Sequence, residues 1–171
     1  RRERGVSRVL VTDAGRGSAI AFIRSLGRCG VDVVAADADP RSPGFRSRYA
    51  SAGLWYPPPA RDPEAMVDVL LHAARSRDVD LIVPVTDDVL LPLARRRSLF
   101  DGVCQLAIAP DAALVQTADK EATVELARSL GVPVPPTAVV RTVAEAGEVA
   151  DELGWPIVLK PQSSRLLGEG G

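Results

Sequence analysis

The sequence of 171 residues is poor in the side chains that build metal centres and disulfide frameworks. It has one histidine and two cysteines, Cys29 and Cys104, with no CxxC pair. A zinc site of the Cys/His type needs four such ligands, so it is excluded, as is catalysis by a pair of histidines. Both cysteines stand in apolar contexts, which predicts that they are reduced and buried in a cytoplasmic protein.

Long apolar runs and a surplus of one charge are also missing. No apolar run approaches the roughly 20 residues of a membrane helix, and the first residues lack the pattern of a signal peptide. The 21 basic and 22 acidic side chains leave a net charge of −1. Residues 1–60 carry a local surplus of +5, but aromatic residues are only 4% of the chain, which favours a solvated surface over a nucleic-acid arm. Neither a membrane nor a nucleic acid is therefore an expected partner.

The residues that are present predict two domains of the α/β class. Apolar residues make up 46% of the sequence and charged residues 25%, which supports a packed core. Short β-rich runs alternate with amphipathic helical runs through residues 1–112, which predicts a doubly wound parallel sheet with helices on both faces. Residues 113–171 predict only the first part of a second domain. Its helices are expected at 120–130 and 143–153, and its strands at 137–140 and 157–160.

A pair of glycines follows the first predicted strand. Gly15 and Gly17 precede a helix start, where free N–H groups and the helix dipole favour an anion. Asp37 ends the second strand, near the spacing of the ribose-binding acid in dinucleotide-binding folds. The third glycine of that fingerprint is replaced by Ile20. Two interpretations stay open: an anion or substrate site, or a tight turn after the strand together with a strand-end Asp37 that caps a loop.

A second polar cluster follows the strand predicted at 81–85. Thr86, Asp87 and Asp88 stand where ligands bind in open α/β sheets, outside the carboxyl ends of the strands. Two adjacent carboxylates there could bind an amine, a metal ion or a hydroxyl group. Alternatively, Thr86 and one of the aspartates cap the next helix. These three residues and the glycine pair are the candidate substrate-binding residues.

Lysine stands at two positions only, whereas the other 19 basic residues are arginine. Lys120 starts a predicted helix and Lys160 ends a predicted strand. The loop after Lys160 holds small residues that include Ser164, Gly168, Gly170 and Gly171. A lysine beside such a loop suits a nucleoside triphosphate, because the cation attracts phosphate oxygens and glycine N–H groups approach without a Cβ. The GxxxxGK[ST] pattern of a P-loop is absent.

The residues around both lysines resemble the start of an ATP-grasp domain. Asp119-Lys120 followed by Gly131-Val-Pro-Val-Pro-Pro-Thr137 is typical of that superfamily. Gly154-Trp-Pro-Ile-Val-Leu-Lys160-Pro161 with its glycine-rich loop is typical of it as well. Residues 1–112 resemble the Rossmann-like domain that precedes it in carbamoyl-phosphate-synthase-like and carboxylate–amine ligases. The stretches that carry this second resemblance are 9–15, 37–40 and 83–93.

The resemblance implies a function for the whole protein. ATP would phosphorylate a small carboxylate or bicarbonate, an amine-type nucleophile would attack the acyl phosphate, and Mg²⁺ would assist. Lys120 and Lys160 match the ATP-contacting basic positions, and the small residues after Lys160 match the loop over the phosphates. The family's metal ligands and catalytic arginine lie beyond the glycine loop. We therefore expect no catalytic or metal-binding residue within this sequence, and no activity from the 171 residues alone.

Two other functions stay open. One is an NAD(P)-binding oxidoreductase that uses Gly15, Gly17 and Asp37, although such an enzyme has no use for the two lysines. The other is a non-catalytic regulatory module derived from a ligase. The lack of an initial Met and the terminal Gly-Glu-Gly-Gly predict a piece of a longer protein. The apolar faces of the 120–130 and 143–153 helices are open to pairing with a second copy, as a homodimer.

Overall fold

The computed structural model describes residues 7–118 and 120–160. The chain divides into two compact units between Ile108 and Ala109. In the described ranges, no helix combines the length and the apolar character that crossing a membrane requires.

The first unit is built on five parallel strands. They are β1 (Arg8–Val11), β2 (Asp32–Asp37), β3 (Ala52–Trp55), β4 (Leu81–Val83) and β5 (Gln105–Leu106). Their order in the sheet is β3-β2-β1-β4-β5, and every neighbouring pair is parallel. The chain therefore winds outward from β1 in one direction, then returns and continues from β4 in the other. The predicted doubly wound parallel α/β fold is confirmed, and the direction changes between β1 and β4.

Three helices connect the strands: α1 (Gly17–Arg28), α2 (Pro63–Ser76) and α3 (Asp87–Arg95). Short 3₁₀ turns lie at Pro43–Arg46 and Arg97–Phe100. Helix α2 starts where Asp62 accepts a hydrogen bond from the Ala65 N–H at 2.9 Å, which satisfies one of the free donors of its first turn.

Alternate residues of the strands belong to two apolar clusters, one on each face of the sheet. Leu10 of β1 belongs to the cluster that α2 and α3 cover, with Leu70 and Phe100. Val9 and Val11 belong to the cluster that α1 covers, with Ile23. The period-two alternation along β1 therefore places helices on both faces.

The second unit contains three helices in its described part: α4 (Asp111–Ala118), α5 (Lys120–Ser129) and α6 (Val143–Leu153). The predicted start of α6 is confirmed, since the Thr142 hydroxyl accepts a hydrogen bond from the Glu145 N–H at 3.2 Å. The strands predicted at 137–140 and 157–160 are wrong, because neither segment joins a ladder. A strand exists only through hydrogen bonds to a neighbouring strand, and the described residues of this unit offer none.

The cysteines are both free, but the prediction that both are buried is wrong. Cys29 is exposed and Cys104 is half-buried. Cys29 directly follows the last residue of α1, where the chain turns at Gly30 with φ +79° towards β2. The apolar residues around Cys29 in sequence point into the α1 cluster, whereas the turn itself lies on the surface.

Candidate functional site

The carboxyl ends of β1 and β4 bring two Thr-Asp pairs together. Thr12 and Asp13 follow β1, and Thr86 and Asp87 follow β4. Because the two strands are parallel neighbours at the point where the winding reverses, their carboxyl ends meet at one edge. The Val85 N–H donates to the Thr12 hydroxyl at 3.2 Å across this junction. Ligands of open α/β sheets bind at such an edge.

The Asp13 carboxylate is the centre of a hydrogen-bond network at this junction. One oxygen accepts from the Thr12 hydroxyl at 2.7 Å and from the Thr86 N–H at 3.1 Å. The other accepts from the hydroxyls of Thr86 at 3.0 Å and Tyr56 at 3.3 Å. The backbone of Asp13 adopts a left-handed conformation with φ 54°, which few residues other than glycine tolerate. Asp13 therefore joins the ends of β1, β3 and β4. Because each of its two oxygens already accepts two hydrogen bonds, neither is left to accept one from a ligand.

Tyr56 completes this network from the end of β3. Its side chain is buried, and its hydroxyl accepts from the Asp13 N–H at 3.2 Å. Burial, followed by the nearby Asp13 carboxylate, raises the pKa of Tyr56 above the ordinary value. The phenol thus stays protonated and keeps its O–H for the Asp13 carboxylate.

The turn after β1 is closed by the carboxylate at the end of β2. Asp37 accepts from the Gly15 N–H at 2.6 Å with one oxygen and from the Asp39 N–H at 2.9 Å with the other. A Cβ on Gly15 would lie 3.2 Å from an Asp37 oxygen, whereas a Cβ on Gly17 would meet open space. The structure therefore contains the tight turn and the strand-end Asp37 that caps a loop, one of the two interpretations of this motif, and Asp37 also closes the turn through the Gly15 N–H. Each oxygen of Asp37 thus accepts one backbone N–H bond.

The cluster after β4 divides into an inward and an outward part. Thr86 occupies the cap position of α3 but makes no side-chain cap bond, since its hydroxyl is held by Asp13. The interpretation of Thr86 as a side-chain cap is therefore wrong. Asp87 and Asp88 are exposed in the first turn of α3, where carboxylates interact favourably with the helix dipole.

The second unit holds the two lysines. Lys120 is the first residue of α5 and is half-buried, and Lys160 is exposed. Four other candidate residues lie outside the described residues: Ser164, Gly168, Gly170 and Gly171. Across residues 7–118 and 120–160, no group of three or more His, Cys, Asp or Glu side chains is placed to hold a metal ion.

Sequence reasoning missed the roles of Asp13 and Tyr56. A signal for Asp13 was present, because a Thr-Asp pair directly follows β1 just as another follows β4. Tyr56 carried no comparable signal. Its contact with Asp13 spans 43 positions and depends on β3 lying two strands away from β1 in the sheet.

Residues 112–168 match the model of the ATP-grasp domain. The chain is also 31% identical over 140 residues to the carbamoyl phosphate synthase large chain of Rubrobacter xylanophilus. It is related to ATP-grasp proteins of the carbamoyl-phosphate-synthase type. The resemblance that the lysine flanks indicated is thus confirmed. That alignment covers 82% of this chain and 12% of the relative, so the chain spans about an eighth of the length of that protein.

Solved ATP-grasp structures have the same fold. The biotin carboxylase domain of a single-chain bacterial carboxylase superposes with a TM-score of 0.57 at 25% identity, over 86% of this chain and 34% of that one. The biotin carboxylase domain dimer of the Hydrogenobacter thermophilus 2-oxoglutarate carboxylase superposes with a TM-score of 0.56 at 21% identity. This second likeness covers 90% of this chain and 34% of that one, and the carboxylase was solved with MgADP, ADP and bicarbonate.

Proposed function

We propose that these residues belong to a cytoplasmic ATP-dependent ligase that forms C–N bonds through an acyl phosphate. The observation that carries the proposal is the ATP-grasp match over residues 112–168, which contains both Lys120 and Lys160. The likeness to a carbamoyl phosphate synthase large chain supports an acid substrate as small as bicarbonate or a simple carboxylate. In this proposal, residues 1–112 are the Rossmann-like domain that precedes the ATP-grasp domain, and residues 113–171 are the first part of that domain.

The proposed reaction has two steps. A carboxylate oxygen of the acid attacks the γ-phosphorus of ATP, the bond to the β-phosphate oxygen breaks, and ADP leaves. The amine nitrogen then attacks the acyl carbon, loses a proton, and phosphate leaves with the oxygen that came from the acid. Lys120 and Lys160 would attract the phosphate oxygens of ATP as point charges. Ser164, Gly168, Gly170 and Gly171 would approach the phosphates in the following loop.

The acid would bind at the carboxyl edge of the sheet in the first unit. Helix α1 begins at Gly17, two residues after Gly15, and its cap residue Arg16 makes no side-chain cap bond. The first N–H groups of α1 are therefore available to a carboxylate, and the dipole favours one. Thr86 would act by fixing Asp13, and the exposed Asp87 and Asp88 would face the amine. These assignments follow from the position of the residues at the carboxyl edge.

Mg²⁺ would, when bound, neutralise the charge that develops on the phosphates. The described residues include no set of three carboxylates, histidines or cysteines suited to it. We therefore assign no metal ligand within the described chain and propose Mg²⁺ and ATP for the whole protein only. For the same reason we propose that the 171 residues do not catalyse ligation by themselves.

The experiment that tests the proposal uses the full reading frame that contains this sequence. With ¹⁸O-labelled bicarbonate or carboxylate, the ligase transfers one ¹⁸O atom to the released phosphate. Lys160→Met and Lys120→Met should lower this transfer about tenfold or more, whereas Arg75→Gln in α2 should leave it unchanged. Label-free phosphate would show that water, not the acid, attacks ATP and would contradict the acyl phosphate, whereas no ADP release with any acid would favour a non-catalytic module. A rise of NADH fluorescence without any response to ATP would favour an oxidoreductase.

A further inference from the structure

Four arginines of the first unit surround one open depression on the α1 face of the sheet. Helix α1 contributes Arg24 and Arg28 from its last two turns, and the segment after β2 contributes Arg46 and Arg48. The depression has a volume of about 500 Å³, and Ser47 and Tyr49 complete its lining. Its volume lies within the range of small-molecule sites. None of the six lining residues is acidic.

The arginines of this depression are not neutralised by the protein. Within the described ranges, none of the four forms an ion pair, whereas Arg8, Arg41 and Arg96 each pair with a carboxylate. Four like charges around one depression repel each other, and an anion between them relieves the repulsion. This concentration accounts for a large part of the positive surplus in residues 1–60.

Local contacts hold two of the guanidinium groups in place before any ligand arrives. Arg48 lies over the Tyr49 ring at 4.8 Å from its centroid and donates to the Tyr49 hydroxyl at 2.7 Å. The Nε–H of Arg28 donates to the Arg24 carbonyl at 3.1 Å. Each guanidinium carries five N–H donors in a planar fork, so most donors stay available. Placement in advance lowers the entropy lost when an anion binds.

A close approach of backbone builds the depression. A Cβ on Gly27 would lie 2.7 Å from the Cβ and 2.9 Å from the carbonyl oxygen of Tyr49. Only the absence of a side chain at Gly27 lets α1 pack this tightly against residues 46–49. The same contact brings the two pairs of arginines to one place.

We propose that this depression binds a di- or triphosphate group, either free or as part of a nucleotide. Guanidinium groups match phosphate oxygens with two parallel hydrogen bonds, and several charges favour a polyphosphate over a monovalent anion. The site is distinct from the carboxyl edge, because α1 rises roughly 16 Å from Gly17 to Arg28. It therefore suits an effector rather than a substrate of the proposed ligase, and it does not depend on that function.

Calorimetric titration of the 171-residue chain with inorganic triphosphate tests the proposal. We expect saturable binding with a Kd below about 1 mM at low salt, weakened by added salt. Arg24→Gln/Arg46→Gln should weaken it about tenfold or more. The matched control Arg61→Gln/Arg75→Gln removes the same charge from exposed sites elsewhere in the unit and should change it less than twofold. Lys120→Met/Lys160→Met should leave it unchanged, which separates this site from the proposed ligase site.

Equal weakening by both arginine pairs would overturn the proposal, because it would indicate a diffuse positive surface. Binding lost with the lysine pair but kept with Arg24→Gln/Arg46→Gln would overturn it as well. A peptide of glutamates that binds at these arginines while triphosphate does not would replace it by an acidic protein partner. Comparison of triphosphate with ATP identifies the source: equal affinity indicates free polyphosphate, and tighter ATP binding that still requires Arg24 and Arg46 indicates a nucleotide.

Discussion

The hydroxyl of Thr86 donates to a carboxylate oxygen of Asp13 across 3.0 Å, although the two residues lie 73 positions apart. Their strands, β1 and β4, are adjacent at the reversal of the winding. The pair therefore closes the sheet edge at which the acid substrate of the proposed ligase would bind. We expect this hydrogen bond to stabilise the first unit. Through that stability it maintains the geometry of the sheet edge.

Asp13→Asn should destabilise the chain by roughly 2 kcal/mol, because the amide NH₂ faces hydroxyl and N–H donors and leaves them unpaired. Asparagine tolerates the left-handed backbone as well as aspartate does, so the loss reports the side chain. The measurement is urea unfolding at pH 7. Asp78→Asn is the matched control, since Asp78 also has a positive φ of 50° but is exposed. Equal losses for the two variants would show that the Asp13 network contributes little.

Tyr56 should make the stability of the protein depend on alkaline pH. Its folded pKa is raised above the ordinary value of 10.0, so above that pH the unfolded chain releases a proton that the folded chain keeps. This contribution is fully present below pH 10 and is lost as pH rises towards the folded pKa, by about 1.4 kcal/mol per pH unit.

Tyr56→Phe removes this dependence and two hydrogen bonds with Asp13. We expect the variant to be less stable at pH 7 by about 1 kcal/mol, and to lose less stability than the natural chain between pH 10 and 11. Guanidinium unfolding at several pH values gives both quantities. Parallel stability curves for the two proteins would contradict the raised pKa.

Gly27→Ala should destabilise the first unit by about 1–3 kcal/mol, the usual effect of forcing a methyl group into a packed contact. The added Cβ would meet the Tyr49 backbone at 2.9 Å, so α1 or residues 46–49 must move. Gly17→Ala offers a matched control in the same helix, because a Cβ there meets nothing within 4 Å. That variant should be neutral or gain up to about 1 kcal/mol from helix propensity. Thermal unfolding of both variants measures these changes in stability. An unchanged stability of Gly27→Ala would show that α1 and residues 46–49 move apart without cost.

The sequence predicts those parts of the fold that depend on local patterns. The runs at Val9–Val11 and Val33–Ala36 are β-rich and apolar, so their strands could be recognised without knowing their partners. The capping residues Thr142 and Glu145 likewise lie within one turn of each other. The segments 137–140 and 157–160 have similar composition, but a strand needs a neighbour that composition does not reveal.

The candidate site could be predicted only in part, for the same reason. Gly15 and Thr86 were found because they lie in the turns that follow two strands, whereas their partners depend on the strand order. Thr86 bonds to Asp13 instead of capping α3 because β1 and β4 are adjacent in the sheet, and local sequence does not reveal that adjacency. The arginine depression requires the approach of Gly27 to Tyr49, which no spacing rule contains.

The 171 residues should bind Mg-ATP at the lysine site with a dissociation constant above about 1 mM, which corresponds to less than about 4 kcal/mol. Each solvent-screened charge contact of Lys120 or Lys160 contributes on the order of 1 kcal/mol. Binding must offset roughly 4–15 kcal/mol of lost translational and rotational freedom. In the described part of the second unit, Ala150 alone is buried, so those residues form no apolar slot for the adenine ring.

Calorimetry in the Arg24→Gln/Arg46→Gln background isolates the lysine site from the arginine depression. Micromolar affinity in that background, lost with Lys120→Met/Lys160→Met, would show that these residues already hold a complete nucleotide site and that the prediction of weak binding is wrong.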